Sequence, residues 1–337
     1  MKRNLSIDLL KVLACFSVVV LHVSGVVVES KSEYTLSHLL YYSACIAVPI
    51  FFMVNGYFLI NKREINYGYI LKKISNILII VLSWNLLISI ATFFVKGRLI
   101  NPIYAAIMNL MQHGYFWQFW FFGALIIIYL LVPIINKCFK NIKKSIIFTF
   151  IMVCVCFSID LINIFKSIKG ESIVQMSVTQ TFRLWTWFAY YLLGGLLGND
   201  IIRNKIIKFI SVKWNWVILI SSLIASNLYQ FNMAKIYNSI YAEYFYDNIL
   251  TFIYVVSLFI LVLRYNFERL KTSIMFISSN MIGIYILHVT IIKIISKLIG
   301  LEKPFVNTIV ICIVFLGALF GSWIISKIPV IKKLISV

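Results

Sequence analysis

Three ionisable residues lie within one apolar run near the start of the chain, and their spacing suggests that they act together. The run DLLKVLACFSVVVLHVSG carries Asp8, Lys11 and His22 among leucine, valine, alanine, cysteine and phenylalanine. Because each residue of an α-helix advances about 100°, Lys11 and His22 share one face, roughly 16 Å apart. Asp8 precedes Lys11 by one turn, a spacing that allows an i,i+3 ion pair. An ionisable residue near the centre of a bilayer costs on the order of 3 kcal/mol, so three on one face indicate a polar pathway.

Histidine is the member of this group that can take a proton from a hydroxyl, because its unperturbed pKa lies near neutrality. A second intramembrane histidine, His288, follows in SSNMIGIYILHVTIIK at a depth similar to that of His22. The alternatives are histidines that only pack between helices, and an Asp8–Lys11 pair at a helix end whose lysine reaches the interface. Two histidines at one depth favour a polar cavity, so we predict catalysis by His22 together with Lys11 and Asp8.

Other candidate residues lie near the ends of apolar runs. Arg183 stands between TF and LWTW, where it either anchors the interface or belongs to a polar cluster with His288. The segment HGYFWQFWFFGALIIIYLLVPIIN is dense in aromatic residues, which is typical of an interfacial belt. Gln118 and Trp120 within it could also line a carbohydrate site, since aromatic faces stack on sugars. The pattern Gly194-x-x-x-Gly198 predicts close helix packing.

The composition places the chain among polytopic membrane proteins. Of its 337 residues, 62% are hydrophobic and 12% are charged, and the mean hydropathy is +0.96. The net charge of +20 does not indicate nucleic acid, because the basic residues form short clusters between apolar runs, as topology signals do. The six cysteines lack metal-ligand spacing, so no metal site is predicted. The sequence also lacks the P-loop, nucleophile-elbow and zinc-protease motifs.

Apolar runs of about 20 residues predict about ten membrane helices. They cover residues 6–28, 39–60, 74–95, 117–136, 145–163, 179–198, 214–230, 246–263, 273–296 and 305–326. With a cytoplasmic N-terminus, the linkers on that side hold 20 lysine and arginine residues and those on the other side hold 9. This asymmetry predicts that both termini are cytoplasmic, with Lys11 near the inner surface and both histidines in the outer half. We therefore expect an all-α, polytopic membrane helical bundle that forms one domain over residues 1–337.

Four blocks of the sequence occur in an order that is typical of one protein family. SIDLLKVLACFSVVVLH holds a basic residue, ten intervening residues and a histidine, here Lys11 and His22. VPIFFMVNGYFLINKRE, FWQFWFFGALIIIYLLVPII and the Ser-x-x-Ile-Tyr-x-x-His type block SSNMIGIYILHVTII follow in turn. Over nearly its whole length the chain resembles the integral-membrane acyltransferase-3 family. The resemblance is closest to members that O-acetylate bacterial surface polysaccharides, including enterobacterial common antigen.

The resemblance implies roles for further residues. Lys72 and Lys73 stand where the family usually has arginines, so they are expected to bind the acyl donor unless they are topology signals only. Lys11 likewise replaces the usual arginine, and a lysine cannot form a bidentate contact with phosphate. The other assignments are a second polar cluster of His288, Tyr285 and Arg183, and an acceptor site of Gln118, Trp120 and Asn55.

The implied function is a membrane O-acyltransferase, most simply an O-acetyltransferase, with no bound cofactor. Its donor substrate would be cytoplasmic acetyl-CoA or another acyl-CoA, and its acceptor a hydroxyl of a cell-surface or exported polysaccharide or lipid-linked sugar. The protein would lie in the bacterial cytoplasmic membrane, in contact with the lipid bilayer and with no nucleic acid. The alternatives are a transporter or flippase of a lipid-linked glycan, and a membrane sensor. A transporter predicts matching Gly- or Pro-broken helices in two halves, and the five prolines show no such pairing.

Overall fold

The computed structural model of the protein describes residues 3–30, 33–301, 304–329 and 331–335. Every element assigned in these ranges is helical, which confirms the all-α prediction. The α-helices are α1 (Leu5–Ser30), α2 (Leu36–Ser43), α3 (Ala47–Leu59), α4 (Tyr67–Lys96), α5 (Pro102–Leu110), α6 (Trp120–Phe139), α7 (Ile142–Ile168), α8 (Val174–Ser177), α9 (Leu184–Gly198), α10 (Asp200–Phe209), α11 (Val212–Ile236), α12 (Ile249–Arg264), α13 (Lys271–Ser279), α14 (Met281–Leu298) and α15 (Pro304–Lys327). Lys2, Lys31 and Lys303, which contribute to the predicted charge asymmetry, lie outside the described residues.

Within the described part of the chain, eight helices are long and apolar enough to cross a membrane. They are Leu5–Glu29, Leu36–Leu59, Tyr67–Lys96, Trp117–Phe139, Ile142–Ile168, Val212–Ile236, Met281–Leu298 and Phe305–Lys327. The pair Ile249–Arg264 and Glu268–Ser279, bent by 93°, would be a ninth if it forms one span. The predicted span 179–198 contains α9, whose 15 residues fall short of the usual crossing length. The polytopic bundle is confirmed with eight or nine such helices, and the sidedness of its termini stays a prediction.

The predicted span 39–60 is divided into α2 and α3 by a proline. A 3₁₀ turn over Ala44–Ile46 separates the two helices, and Pro49 lies in the first turn of α3. Because Pro49 has no amide hydrogen and its ring crowds the carbonyl of Cys45, the regular α-helical hydrogen bonds cannot continue there.

The predicted span 273–296 is wrong as a single helix, since α13 ends at Ser279 and α14 begins at Met281. Asn280 lies between them, where its side-chain amide donates to the carbonyl of Phe276 and its Oδ1 accepts from Ser322. The backbone amide of Asn280 donates to the carbonyl of Ile277, a contact of the 3₁₀ type, so the regular α-helical hydrogen bonding is interrupted at this residue.

The first helix, α1, carries Asp8, Lys11 and His22 and is surrounded by other helices. It packs against α2 and α3, and also against α13, α14 and α15. Near its C-terminal end, the Nδ2 of Asn307 in α15 donates to the carbonyl of Val23 at 2.7 Å. The face of α1 that bears the ionisable residues is therefore turned toward protein.

Three glycines allow α3 and α9 to cross with their backbones in direct contact. A Cβ atom on Gly56 would overlap the carbonyl of Tyr191 in α9. In the other direction, a Cβ on Gly194 would overlap the carbonyl of Met53 in α3, and one on Gly198 would press against Tyr57. The Gly-x-x-x-Gly prediction is thus confirmed, and α3 and α9 form the most extensive helix pair in the bundle.

We expect Gly194→Ala to destabilise the protein, because the new methyl group forces two backbones apart. Overpacking of this kind costs about 1–3 kcal/mol, which thermal unfolding of the detergent-solubilised protein would detect. Gly317→Ala in α15 is the matched control, since its Cβ would find its nearest neighbour, the Ile291 side chain, at 3.7 Å. Equal melting temperatures for the two variants would contradict the proposed role of this crossing.

Candidate functional site

A cavity of about 420 Å³ lies beside the N-terminal part of α1 and is hereafter called the inner cavity. Its basic residues are Lys11, Lys62 and Lys73. The rest of its wall is mainly apolar and aromatic, with contributions from Phe51, Val54, Phe58, Ile77, Phe121, Phe122, Leu125, Tyr129 and Tyr285. A cavity that is cationic at one part and apolar elsewhere fits an elongated ligand with an anionic end.

The ion pair expected between Asp8 and Lys11 is present, with 3.1 Å between Nζ and Oδ1. A second cation that the sequence analysis did not assign also contacts this carboxylate, since Arg3 Nε lies 2.5 Å from Oδ2. Arg3 in turn donates to Ser278 Oγ in α13 at 2.7 Å. Asp8 is 4% exposed and thus shared between two cations. It holds the start of α1 against α13 while Lys11 lines the inner cavity over the Phe58 ring.

Two lysines converge on one tyrosine at the wall of the inner cavity. Lys62 Nζ donates to the Tyr69 hydroxyl at 2.6 Å and lies 4.1 Å from the centre of its ring. Lys73 Nζ lies 5.7 Å from the same ring. Lys72, the neighbouring residue on α4, is exposed and is not among the residues lining this cavity. Of the predicted lysine pair, the structure therefore brings only Lys73 into the cavity, and it adds Lys62.

Asn55 also lines the inner cavity, apart from the other two residues of the predicted acceptor site. Its Nδ2 donates to the carbonyl of Phe51 at 2.9 Å, and its Oδ1 accepts from the Tyr129 hydroxyl at 2.9 Å. Asn55 thus fixes one wall of the inner cavity, whereas Gln118 and Trp120 lie elsewhere.

A second cavity of about 430 Å³ lies beside the C-terminal part of α1 and is hereafter called the outer cavity. His22, Gln118 and Trp120 line it, together with Val18, Leu21, Gly25, Val26, Glu29, Tyr41, Val48, Phe51, Gln112, Trp117, Phe121, Gln180, Ile240, Tyr241, Glu243, Tyr246 and Tyr285. Gln118 is 2% exposed, and both its Oε1 and its Nε2 lack a hydrogen-bond partner among the described residues. A buried amide without partners is costly, so Gln118 is suited to bind a polar ligand.

The two intramembrane histidines are in contact: His22 lines the outer cavity, and the fully buried His288 packs against it without lining the cavity itself. Their ring centres are 5.2 Å apart with an interplanar angle of 20°, and Trp117 packs edge-on against His22 at 5.0 Å. His288 Nδ1 lies 3.2 Å from the carbonyl of Ile284. Because a carbonyl only accepts, Nδ1 is the donor, and in the neutral ring Nε2 then carries the lone pair. That Nε2 is buried and has no partner among the described residues.

Three aromatic residues line both cavities and form the wall between them: Phe51, Phe121 and Tyr285. The Tyr285 hydroxyl donates to the backbone carbonyl of Gln118, which fixes its ring, and the Phe121 ring centre lies 6.1 Å from that of Tyr285. The Tyr285 ring also contacts His288 at 6.0 Å. The predicted pairing of Tyr285 with His288 is thus present, and Tyr285 separates a cavity lined by Lys11 from one lined by His22.

Arg183, the third member of the predicted second cluster, belongs to a different network. Its guanidinium donates to the carbonyls of Gln175, Val178 and Glu243 at 2.9, 2.9 and 3.1 Å. It is 3% exposed and ties the segment before α9 to the loop that holds Glu243. Glu243 lines the outer cavity; burial raises the pKa of its carboxyl group, while Arg183 and Gln180 lower it. Arg183 therefore shapes one wall of the outer cavity from behind.

Several residues that line these cavities were not assigned from the sequence, namely Phe51, Lys62, Tyr69 and Trp117. Among the residues that the structure describes, no cluster of three or more metal-ligating side chains occurs. Lys62 lies near the end of the block VPIFFMVNGYFLINKRE, and membership of that block is the sequence signal that could have separated it from the other basic residues.

Comparison with known proteins gives one match. A family model described as an acyltransferase domain, of the acyltransferase-3 type, matches residues 4–327. No curated protein and no solved structure matches the chain.

We expect Arg183→Lys to destabilise the fold, because the three donors of an ammonium group share one nitrogen and cannot reach the carbonyls that Nε, Nη1 and Nη2 contact separately. A hydrogen bond to a charged group contributes about 1.5–3 kcal/mol, so loss of one or more should lower the melting temperature in detergent by several degrees. Arg98→Lys, at an exposed position, is the control. A melting temperature unaffected by Arg183→Lys would show that these contacts are dispensable.

Proposed function

This chain belongs to the acyltransferase-3 family and is a membrane acyltransferase, and we propose that it is an O-acetyltransferase. Its donor would be acetyl-CoA from the cytoplasm. Its acceptor would be a hydroxyl group of a cell-surface or exported polysaccharide or glycolipid, in a bacterial cytoplasmic membrane. The observation that carries this proposal is the pair of cavities beside the two ends of α1, which share the side chains of Phe51, Phe121 and Tyr285 as a common wall.

The inner cavity supports the donor part of the proposal. Coenzyme A is a long molecule with several phosphate groups at one end and a thioester at the other. Lys62 and Lys73, with Lys11, offer positive charge to phosphate, and the apolar remainder of the cavity accommodates the pantetheine arm. In this arrangement the thioester reaches the aromatic wall, where the surroundings exclude water and protect it from hydrolysis.

The histidines at the outer cavity support the chemical step. His22 accepts the proton of the acceptor hydroxyl while the hydroxyl oxygen attacks the thioester carbonyl carbon. The bond from that carbon to sulfur then breaks, and the departing thiolate takes the proton back from His22, which gives the free thiol of coenzyme A and regenerates the neutral histidine. In a two-step variant, the histidine carries the acetyl group before the hydroxyl attacks. The stacked His288 ring, oriented by Ile284, fixes the position of His22 and offers a second proton acceptor.

The outer cavity supports a hydroxyl-rich acceptor. The free amide of Gln118 can both donate to and accept from neighbouring hydroxyl groups, and Glu243 and Gln180 add further polar atoms. Trp117 and Trp120 supply aromatic surface, which suits the apolar faces of sugar rings. A sugar has both hydroxyl groups and apolar ring faces, so it suits a cavity with this mixed lining.

The decisive test of this proposal measures transfer directly. Purified protein with radiolabelled acetyl-CoA and a cell-envelope extract should transfer label into a glycan fraction, and the label should be released by mild base, as expected for an ester. A flippase would instead move the lipid-linked glycan across a proteoliposome membrane without incorporating label.

We expect His22→Ala to lower the transfer rate by at least about 100-fold, because general bases contribute roughly 10²–10⁴-fold. His288→Ala should give a smaller loss, since it removes the ring that positions His22. The exposed His113→Ala is the control, and it and His22→Ala should melt at the temperature of the parent, whereas His288→Ala should melt lower because its side chain is fully buried. Transfer by His22→Ala at more than about a tenth of the parent rate would contradict the general-base assignment.

We expect Lys73→Met to raise the KM for acetyl-CoA by about tenfold with little change in kcat, since it removes one charged contact to the donor. Lys62→Met should act in the same direction. Lys72→Met is the matched control, because this lysine lies next to Lys73 on α4 but faces away from the inner cavity. Equal KM values for the Lys72 and Lys73 variants would remove the inner cavity as the donor site.

A further inference from the structure

A third cavity, a groove of about 680 Å³, adjoins the outer cavity and is hereafter called the side groove. The two share Glu29, Ile240 and Tyr241 as lining residues. The side groove is otherwise lined by His38, Tyr42, Phe231, Ala234, Lys235, Asn238 and Ser239. A ligand that leaves the outer cavity past Tyr241 therefore enters the side groove.

The lining of the side groove combines aromatic and hydrogen-bonding groups. The Tyr241 side chain is 45% exposed and stands at the junction of the two cavities, while Phe231 lies deeper in the groove. The ammonium group of Lys235 lies 4.3 Å from the Phe231 ring centre. Lys235 and Asn238 are exposed, so their polar atoms are accessible from solvent. Aromatic surface with a polar rim suits a sugar ring better than a lipid chain, which needs an unbroken apolar surface.

Two helices end at this cleft. Among the described residues, the non-glycine residues with positive φ are Gln112 at 69° and Asn238 at 48°, which lie just past the C-terminal ends of α5 and α11. In each case the next amide donates to the carbonyl five residues earlier, His113 to Met108 and Ser239 to Ala234, as is usual for a left-handed helix end. Gln112 lines the outer cavity and Asn238 lines the side groove, so these two helix ends build adjoining parts of the cleft.

We propose that the outer cavity and the side groove form one extended site for an acceptor of at least two linked sugars. The sugar whose hydroxyl is acylated lies in the outer cavity beside His22, and the next sugar along the glycan lies in the side groove against Tyr241 and Phe231. Asn238 and Lys235 hydrogen-bond to its hydroxyl groups. This inference rests on the proposed function and adds the size of the acceptor to it.

The test uses size-fractionated fragments of the surface polysaccharide of the cells that make this protein, stripped of existing esters with mild base. Transfer from radiolabelled acetyl-CoA to mono-, di- and trisaccharide fragments is measured with the full chain in detergent. For the parent protein, we expect kcat/KM to rise at least about tenfold from monosaccharide to disaccharide. The step from disaccharide to trisaccharide should be smaller.

Two variants probe the side groove without touching the outer cavity. Ser239→Trp fills the groove and should lower kcat/KM for the disaccharide by about tenfold while leaving the monosaccharide rate unchanged. Lys235→Ala removes an exposed side chain, which carries little folding risk, and should lower the same value several-fold. Lys169→Ala, an exposed lysine outside both cavities, is the control and should alter neither rate.

The possible outcomes separate this inference from the proposed function. Equal kcat/KM for mono- and disaccharides, or equal loss of both rates in Ser239→Trp, would overturn the extended site while leaving O-acetyl transfer intact. Failure to label any fragment with the parent protein would overturn the proposed function itself, and the extended site with it.

Discussion

The close crossing of α3 and α9 is the contact on which both cavities depend. Met53, Gly56 and Tyr57 form the face of α3 that meets the α9 backbone. Phe51, Asn55 and Phe58 lie about half a turn away around the helix and therefore form its opposite face. These residues line the inner cavity, and Phe51 lines the outer cavity as well. Without glycines at the crossing, α3 would move away from α9 and displace the wall between the cavities.

The same crossing organises a stack of aromatic rings that supports the outer cavity. The Trp187 ring of α9 stacks on Phe52 at 4.8 Å and on Trp120 at 5.1 Å. Trp187 is fully buried, and its indole nitrogen donates to the carbonyl of Gln180. Because Gln180 and Trp120 line the outer cavity, packing at the crossing sets the positions of residues that face a ligand. The short α9 therefore has a structural role that its length does not indicate.

Buried polar groups near the N-terminal end of α1 have partners, whereas some of those near its C-terminal end have none in the described part of the chain. Asp8 is neutralised by Arg3 and Lys11, so no net buried charge is left unpaired at that carboxylate. At the other end, His288 Nε2 and the Gln118 amide have no partner in the described part of the chain. A folded protein bears that cost where a ligand supplies the missing contacts. The Asp8 carboxylate therefore has a structural role beside Lys11, which still lines the inner cavity, whereas the Gln118 amide is open to a ligand in the outer cavity.

The contacts that could be predicted from the sequence are those between residues that are close along the chain or that lie at matching depths in their helices. Helical periodicity placed Asp8 next to Lys11, because the partners are one turn apart. Matching depth in two apolar runs brought His22 and His288 to one level, and the structure places them in contact. The glycine spacing also indicated close packing, although it did not identify α3 as the partner.

Other features depend on which helices are neighbours, and sequence periodicity does not report this. Lys62 resembles any other topology signal until α4 brings Tyr69 against it. Asn55 is grouped with Gln118 and Trp120 in the predicted acceptor site, whereas the fold places it beside Tyr129 in the inner cavity. Arg183 lies at the edge of a predicted span, and its hydrogen-bond partners are backbone carbonyls. Because every residue has a backbone carbonyl, the sequence does not indicate which ones Arg183 contacts.

The wall of Phe51, Phe121 and Tyr285 connects the architecture with the proposed chemistry. If donor and acceptor occupied one open channel, water would follow the acceptor to the thioester, and hydrolysis would compete with transfer. Two cavities that meet at aromatic side chains avoid this, because the reacting groups approach each other through apolar surroundings. Tyr285 is the member of the wall that touches both sides of the reaction: its ring contacts His288, and its hydroxyl binds the backbone of Gln118. Under the proposed function, Tyr285 thus holds the wall in place between the donor cavity and the residues that act on the acceptor.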